Sequence, residues 1–131
     1  MPTSIHHLAP EGRAKFPPLS AATRLGELVF VSGTPGYHGG GSIVQSDFAA
    51  QFIQAAAVFR QTLERAGSDV RGLLKVNMLL TRAEDVAEMN RLYAEAFGPA
   101  PYPARTTCVV AALPDPRMLL EIEGVARASA D

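Results

Sequence analysis

Tryptophan is absent from this 131-residue chain, cysteine occurs once and histidine three times. One cysteine excludes an internal disulfide and a cysteine-rich metal cage, which fits a reducing compartment and leaves any metal chemistry to the histidines. Of these, His6 and His7 are adjacent near the start and His38 precedes a run of glycines, with no further ligand at a defined spacing. They read as solvated side chains, His6 and His7 in a mobile N-terminal segment, and no metal site is expected. An excess of either charge is lacking too: 12 Lys and Arg face 13 Asp and Glu, and the cations are scattered. Nothing in such a surface suits a phosphate backbone, so nucleic acid is not an expected partner. Long apolar runs are missing, since no window approaches the ~18 uninterrupted residues of a membrane span. The opening MPTSIHHLAPEGRAKFPPLS lacks the basic and then apolar regions of a secretion signal. A soluble, cytoplasmic protein without a membrane partner is expected. The glycine run at 39–41 lacks the Lys-Ser/Thr of a phosphate-binding loop and reads as a hairpin tip.

What is present has the size of one domain, residues 1–131, with 1–18 as an extended N-terminal segment. ELVFVSG, residues 27–33, reads as a strand with Leu28 and Phe30 on one face and Val29 and Val31 on the other, both faces buried. Residues 46–67 read as a helix capped by Ser46 or Asp47 and stopped by Gly67, with a stripe of Phe48, Phe52, Ala55, Ala56, Phe59, Leu63 and Ala66. LLKVNMLL, 73–80, is the next strand. A second helix follows, where Thr81 and Glu84 have capping-box spacing, Gly98 closes the helix, and Val86, Met89, Tyr93 and Phe97 form the packed face. Strands at 104–111 and 118–125, joined by LPDPR, finish the chain. The fold class is α+β, with a mixed sheet of about six strands and two helices on one face.

Two helices cover only one face of such a sheet, yet several strands are apolar on both. A homo-oligomer in which sheets meet would cover the second face and create clefts between subunits. The alternative is that residues 1–20 wrap the open face.

Within PARTTCVV, residues 103–110, a guanidinium stands in what otherwise reads as a buried strand. Strand alternation places Arg105, Thr107 and Val109 on one face and Ala104, Thr106, Cys108 and Val110 on the other. Cys108 therefore points away from Arg105 and reads as a small core residue, not a nucleophile. In the last strand Glu121 and Glu123 share a face. If the two final strands pair, that face could be Arg105's, within a subunit or across an interface, and an ion pair could hold strands or subunits in register. Equally, Arg105 could receive the carboxylate of a small acid through two parallel N–H bonds. The pattern leaves both open. Asn90 falls beside Met89 and Tyr93 on the packed helix face, where its amide reads as a clamp on a neighbouring loop.

LGELVFVSG, EMNRLYAEAFG, PARTTCVVAALP and LLEIEGVA, in that order, together resemble the RidA/YjgF family of reactive intermediate deaminases, over nearly the whole chain from about Leu19 to Ala126. The resemblance implies a chorismate-mutase-like fold and a homotrimer with a cleft at each subunit interface. It also implies hydrolysis of 2-imino acids or their enamine tautomers to 2-keto acids and ammonia, without metal or cofactor. The family's carboxylate-binding arginine falls on Arg105, its water-orienting glutamate on Glu121, its Ser-Gly pair on Ser32 and Gly33, and its helical asparagine on Asn90. An iminium carbon is already electrophilic, so a held substrate and an aligned water suffice.

This chain departs from the family pattern at pocket positions. Leu19 stands where many members have Tyr, Thr34 where many have Gln, and Thr107 where Cys is frequent. A bulkier substrate is therefore expected, and SGT and RTT with LPDPRMLLEIE also resemble branches that include 2-aminomuconate deaminases, acting on a larger dicarboxylic enamine. A third expectation, of another class, is a trimer that binds small ligands or acts as a chaperone without turnover.

Overall fold

A computed structural model describes residues 4–11 and 16–129. In chain order the elements are β1 His6–Leu8, β2 Ala22–Leu25, β3 Leu28–Thr34, α1 Phe48–Arg65, β4 Leu73–Leu80, α2 Val86–Phe97, β5 Ala104–Val109 and β6 Leu120–Arg127. The strands form one six-stranded sheet in the order β1-β2-β3-β6-β4-β5. Only β4 and β5 run parallel, because α2 returns the chain between them. The other neighbours are antiparallel. No helix among the described residues is long and apolar enough to cross a membrane.

Helix α1 starts where the Asp47 carboxylate accepts a 3.0 Å bond from the Ala50 amide, and the chain leaves it through Gly67 at φ +86°, a conformation that suits a residue without a Cβ. Phe48, Phe52, Ala55, Ala56, Phe59 and Leu63 are buried as the stripe requires. Two polar residues share that stripe. Thr62 bonds the Val58 carbonyl one turn back, while Gln51 donates to the carbonyls of Val44 and Arg117 and accepts from the Leu119 amide. Gln51 thereby fixes the two loops that frame the end of the sheet.

Helix α2 begins differently from the capping-box expectation. Thr81 is tied to the sheet through its amide, which bonds Leu119. A 3-10 turn at Ala83–Asp85 follows, and the buried Asp85 is held by Arg82 at 2.7 and 3.0 Å. Its packed face contains Met89, Leu92, Tyr93 and Phe97. Phe97 meets Phe59 edge to face at 6.1 Å, which joins the helices over the sheet.

Both helices cover the face carrying Val29, Val31, Val76, Met78, Leu120 and Ile122, all in one buried core. The opposite face is bare in the single chain, so the expectation that both faces of β3 are buried holds only for its valine side. Leu28 and Phe30 are 41% and 45% exposed there. Residues 6–8 do not wrap this face; β1 extends the sheet at its edge, which also places His6 and His7 in a strand.

Three expectations about the last strands are corrected. β5 is an edge strand with mostly exposed side chains, because among the described residues nothing pairs beyond it. β5 and β6 do not pair, since β4 lies between them. Leu79 is registered with both Cys108 and Glu121, whereas Arg105 is registered with the buried Val76. Glu121 and Glu123 therefore share the face of Cys108, not that of Arg105. Cys108 points away from Arg105 as alternation required, but it is exposed, not part of the core.

Candidate functional site

Arg105 leaves the edge of the sheet toward α2. Its Nη2 donates a 2.7 Å bond to Asn90 Oδ1, its Nη1 lies 3.8 Å from Met89 Sδ, and its guanidinium carbon stands 4.7 Å from the centroid of the Tyr93 ring. All of these partners are neutral. They fix the fork without cancelling its charge, and among the described residues no carboxylate pairs with it. Asn90 is exposed, so it is not on the packed face, and what it clamps is the arginine, not a loop. The segment entering β5 is fastened by Arg71, which donates to the carbonyls of Phe97 and Pro99 at 3.1 and 3.0 Å.

Two hydroxyls here have no hydrogen-bond partner among the described residues, although both are buried: Tyr93 Oη and Thr107 Oγ1. Burial raises the pKa of the Tyr93 phenol, opposed by the charge of Arg105 and reinforced by Tyr102.

A second cluster forms where β3 separates from β6. Their pairing shifts between Val31 and Thr34, so Ser32 and Gly33 sit in an irregularity at the strand's end. Ser32 Oγ donates 2.6 Å to the Ser20 carbonyl, and Thr34 Oγ1 donates 2.8 Å to the Ser32 carbonyl. Glu121 leans against this irregularity. Burial first, and the neighbouring Glu123 second, raise its pKa, whereas Glu123 accepts a 3.0 Å bond from Asn77. A groove of about 640 Å³ opens here, lined by Leu19, Ser32, Gly33, Thr34 and Glu121. Its rim is set by Asp115, which accepts from Tyr37 at 2.7 Å and from Arg117 at 2.6 and 3.0 Å.

The expected site residues thus fall into two groups. Leu19, Ser32, Gly33, Thr34 and Glu121 share the groove. Asn90 and Arg105 touch each other, with Thr107 two residues further along β5. Within one chain the groups do not meet, because Arg105 is on the helix side of the sheet and Glu121 on the bare side, with β4 between their strands. Tyr93, read from the sequence only as core, is also the platform under Arg105. Periodicity puts Met89, Asn90 and Tyr93 on one helix sector but carries no information on which strand residue lies above them. Among the described residues no group of three or more His, Cys, Asp or Glu is placed to hold a metal ion.

A family model described as Endoribonuclease L-PSP matches residues 9–128. A RutC family protein of Pyrococcus horikoshii is 36% identical over 110 residues, covering 83% of this chain and 86% of that protein. The chloroplastic Reactive Intermediate Deaminase A of Arabidopsis thaliana is 36% identical over 98 residues, or 74% of this chain and 52% of its own length. Among solved structures, RidA from the Antarctic bacterium Psychrobacter sp. superposes with a TM-score of 0.80 at 31% identity, covering 88% of this chain and 93% of that one. Yeast Mmf1 superposes with a TM-score of 0.87 at 26% identity over 96% of this chain and all of the other.

Proposed function

The chain belongs to the RidA/YjgF superfamily, the Endoribonuclease L-PSP family, and from that premise we propose that it hydrolyses reactive 2-imino acids or their enamine tautomers to 2-oxo acids and ammonia. One observation carries the reading. Arg105 is a cation oriented by neutral partners and, among the described residues, left without a carboxylate, the arrangement an anionic substrate needs.

The assembly that fits is a homotrimer in which Arg105 of one copy reaches the Glu121 groove of the next. Two features support this: the half-sites lie on opposite sides of one sheet, and the bare side carries Leu28 and Phe30. In such a cleft the substrate carboxylate accepts two parallel N–H bonds from Arg105. The imine carbon is then presented to a water that the Glu121 carboxylate orients. Glu121 takes one proton as the C–O bond forms. It returns that proton to the nitrogen of the carbinolamine; as the C–N bond breaks and the C=O forms, the hydroxyl proton passes to Glu121 and on to the departing ammonia, so one water is consumed for each nitrogen released and the carboxylate is regenerated. A carboxyl whose pKa is raised by burial is suited to both halves of that transfer. In this reading backbone groups at Ser32 and Gly33 hold the departing nitrogen, which the nearness of Gly33 to the Glu121 carboxylate supports.

The test generates 2-iminopropanoate and 2-iminobutanoate with an amino-acid oxidase and follows their trapping by semicarbazide. The protein should reduce semicarbazone formation, and Arg105→Ala should not. Equal trapping with and without the wild-type protein, for every imine offered, would sink the proposal. The nuclease activity in the family model's name gains no support from a chain of net charge -1 with scattered cations.

A further inference from the structure

A hollow of about 660 Å³ opens beside the first two strands, near the β2–β3 turn at Gly26 and so at the other end of β3 from Ser32 and Gly33. It is lined by Ser4, by the strand residues His6 and Arg24, and by the last turn of α1 at Arg65 and Ala66. His6 and Arg24 are direct partners in the β1–β2 register, so their side chains leave one face with Cβ atoms about 5 Å apart. That face is the helix side, because Ala22, two residues before Arg24, belongs to the core. Arg65 comes to the same hollow from α1. Three basic side chains from three elements thus converge here, on a chain whose net charge is -1.

The two guanidinium groups are oriented by backbone. Arg24 donates from Nε to the Gly26 carbonyl at 3.0 Å and from Nη1 to the Ala66 carbonyl at 3.2 Å, and a Cβ on Gly67 would come 2.5 Å from that Nη1. These neutral partners fix the fork, while its charge and its Nη2 stay uncommitted among the described residues. They also deal with the local feature that would repel an anion, the carbonyl end of α1. The Ala66 carbonyl is taken by Arg24, and the Gly67 carbonyl by the Ser129 amide at 2.7 Å. Arg65 donates to the Ala9 carbonyl at 2.9 Å and pairs with Glu11 at 3.3 Å, but the Glu11 side chain is 62% exposed, and so solvated a pair yields readily to a stronger anion. A helix cap needs one arginine and accounts for neither Arg65 nor His6 at the same hollow.

We infer that this hollow binds small phosphate monoesters, with the phosphoryl oxygens accepting from Arg24 Nη2, from Arg65 and from the His6 imidazole, and the organic part filling the remaining volume. Two planar forks and an imidazole N–H suit the several oxygens of a phosphoryl group better than the two of a carboxylate. One phosphoryl group needs donors gathered at a single place, whereas a polynucleotide needs a stripe of them, so the scattered cations elsewhere on the chain do not bear on this site. The proposal does not depend on the imine chemistry. Of the residues lining the hollow, only Arg65 also lines the groove beside Glu121, and Arg24 and His6 therefore carry the test.

Calorimetric titration of the full chain with ribose 5-phosphate at constant ionic strength, with ribose as the uncharged control, decides the matter. Ribose 5-phosphate should bind and ribose should not. Arg24→Gln should weaken binding roughly tenfold, and Arg105→Ala should leave it unchanged. Arg24 also caps α1, so melting curves accompany each titration, and His6→Gln, on exposed β1, supplies a variant without that role: it should weaken binding about threefold at an unchanged melting temperature. Asp131 follows Ser129 by two residues, outside the described residues, and Asp131→Asn removes a carboxylate that could compete for the same cations. This variant should bind at least as tightly as the wild type. Absence of binding in both the wild type and Asp131→Asn would overturn the proposal. So would wild-type affinity in a folded Arg24→Gln protein, which would leave Arg24 a helix cap alone, or binding abolished by Arg105→Ala, which would assign the phosphate to the other guanidinium.

Discussion

A Cβ placed on Gly33 would lie 3.1 Å from Oε1 of Glu121. The carboxylate rests on the bare backbone of the β3 irregularity, so the absence of a side chain at position 33 sets where Glu121 sits. Gly33 has no left-handed φ, and alanine can adopt its backbone without strain. Gly33→Ala should therefore change the melting temperature little while pushing Glu121 aside by a few tenths of an ångström. Positioning on that scale matters to a water-activating group, and kcat/KM should fall by roughly tenfold. Parallel melting curves and imine-trapping rates check this. A variant that unfolds early would show instead that the glycine serves the fold.

Glu121→Gln separates turnover from binding. If Glu121 orients the water and takes its proton, the amide should lower kcat by roughly 10²- to 10⁴-fold while 2-oxo acids still bind. A trimer that only binds ligands would lose nothing. The same variant carries a stability signature with a definite sign. Burial holds the Glu121 pKa above its ordinary value, so the folded chain favours the protonated form. Its contribution is fully present below the unfolded pKa and is lost as pH rises through the raised folded one. Glu121→Gln should thus match the wild type in acid and be the more stable of the two at neutral pH. Urea titrations at pH 3 and pH 7.5 would reveal the divergence, and equal differences at both would refute it. Wild-type kcat/KM should also decline on acidification through that raised value, as the carboxylate is lost.

Arg105 depends on neutral partners, and exchanging one for a charged partner is informative. Asn90→Ala removes the 2.7 Å bond and should raise KM by roughly five- to tenfold, about 1 kcal/mol for a partly solvated bond to a charged group. Asn90→Asp keeps an acceptor in place but neutralises the guanidinium, and should weaken 2-oxo acid binding more than the alanine variant does. Equal effects of the two would mean that Asn90 acts only by geometry.

Tyr93 separates ring from hydroxyl. The ring supports Arg105 at 4.7 Å, whereas the buried hydroxyl has no partner among the described residues. Tyr93→Phe should retain activity and raise stability by about 1 kcal/mol, since it removes an unsatisfied polar group. Tyr93→Leu should raise KM with little change in kcat. A destabilised Tyr93→Phe protein would show that the hydroxyl is bonded, for example to an internal water.

These residues also show what could be read from sequence. The stripe of α1 and the alternation in β4, β5 and β6 follow from periodicity, so the core and the separation of Cys108 from Arg105 were legible. Strand order was not. Alternation says which residues share a face of one strand, but the parity between β5 and β6 depends on the strand between them, and this is how Glu121 and Arg105 came to be expected on one face. The helical sector of Asn90 was misjudged for a related reason: its partner lies on a strand 15 residues away, and no local pattern encodes that contact. β1 and β2 were missed because three and four residues give too short a pattern to register.

The two-sided placement of Arg105 and Glu121 makes a last prediction that no single-chain site can satisfy. If each cleft takes Arg105 from one copy and Glu121 from the next, Arg105→Ala and Glu121→Gln proteins are each inactive for different reasons. Unfolded together and refolded as a mixture, they form hybrid trimers. In each hybrid, one interface joins the intact arginine of one variant to the intact glutamate of the other. Random assembly of equal amounts should then restore about a quarter of wild-type activity, one competent cleft of three in three-quarters of the trimers. A charge on the bare face, as in Phe30→Glu, should abolish both assembly and rescue while the helix-covered core persists in circular dichroism. No rescue in the mixture, with hybrids demonstrated by mass, would place the whole site within one copy and overturn the shared cleft.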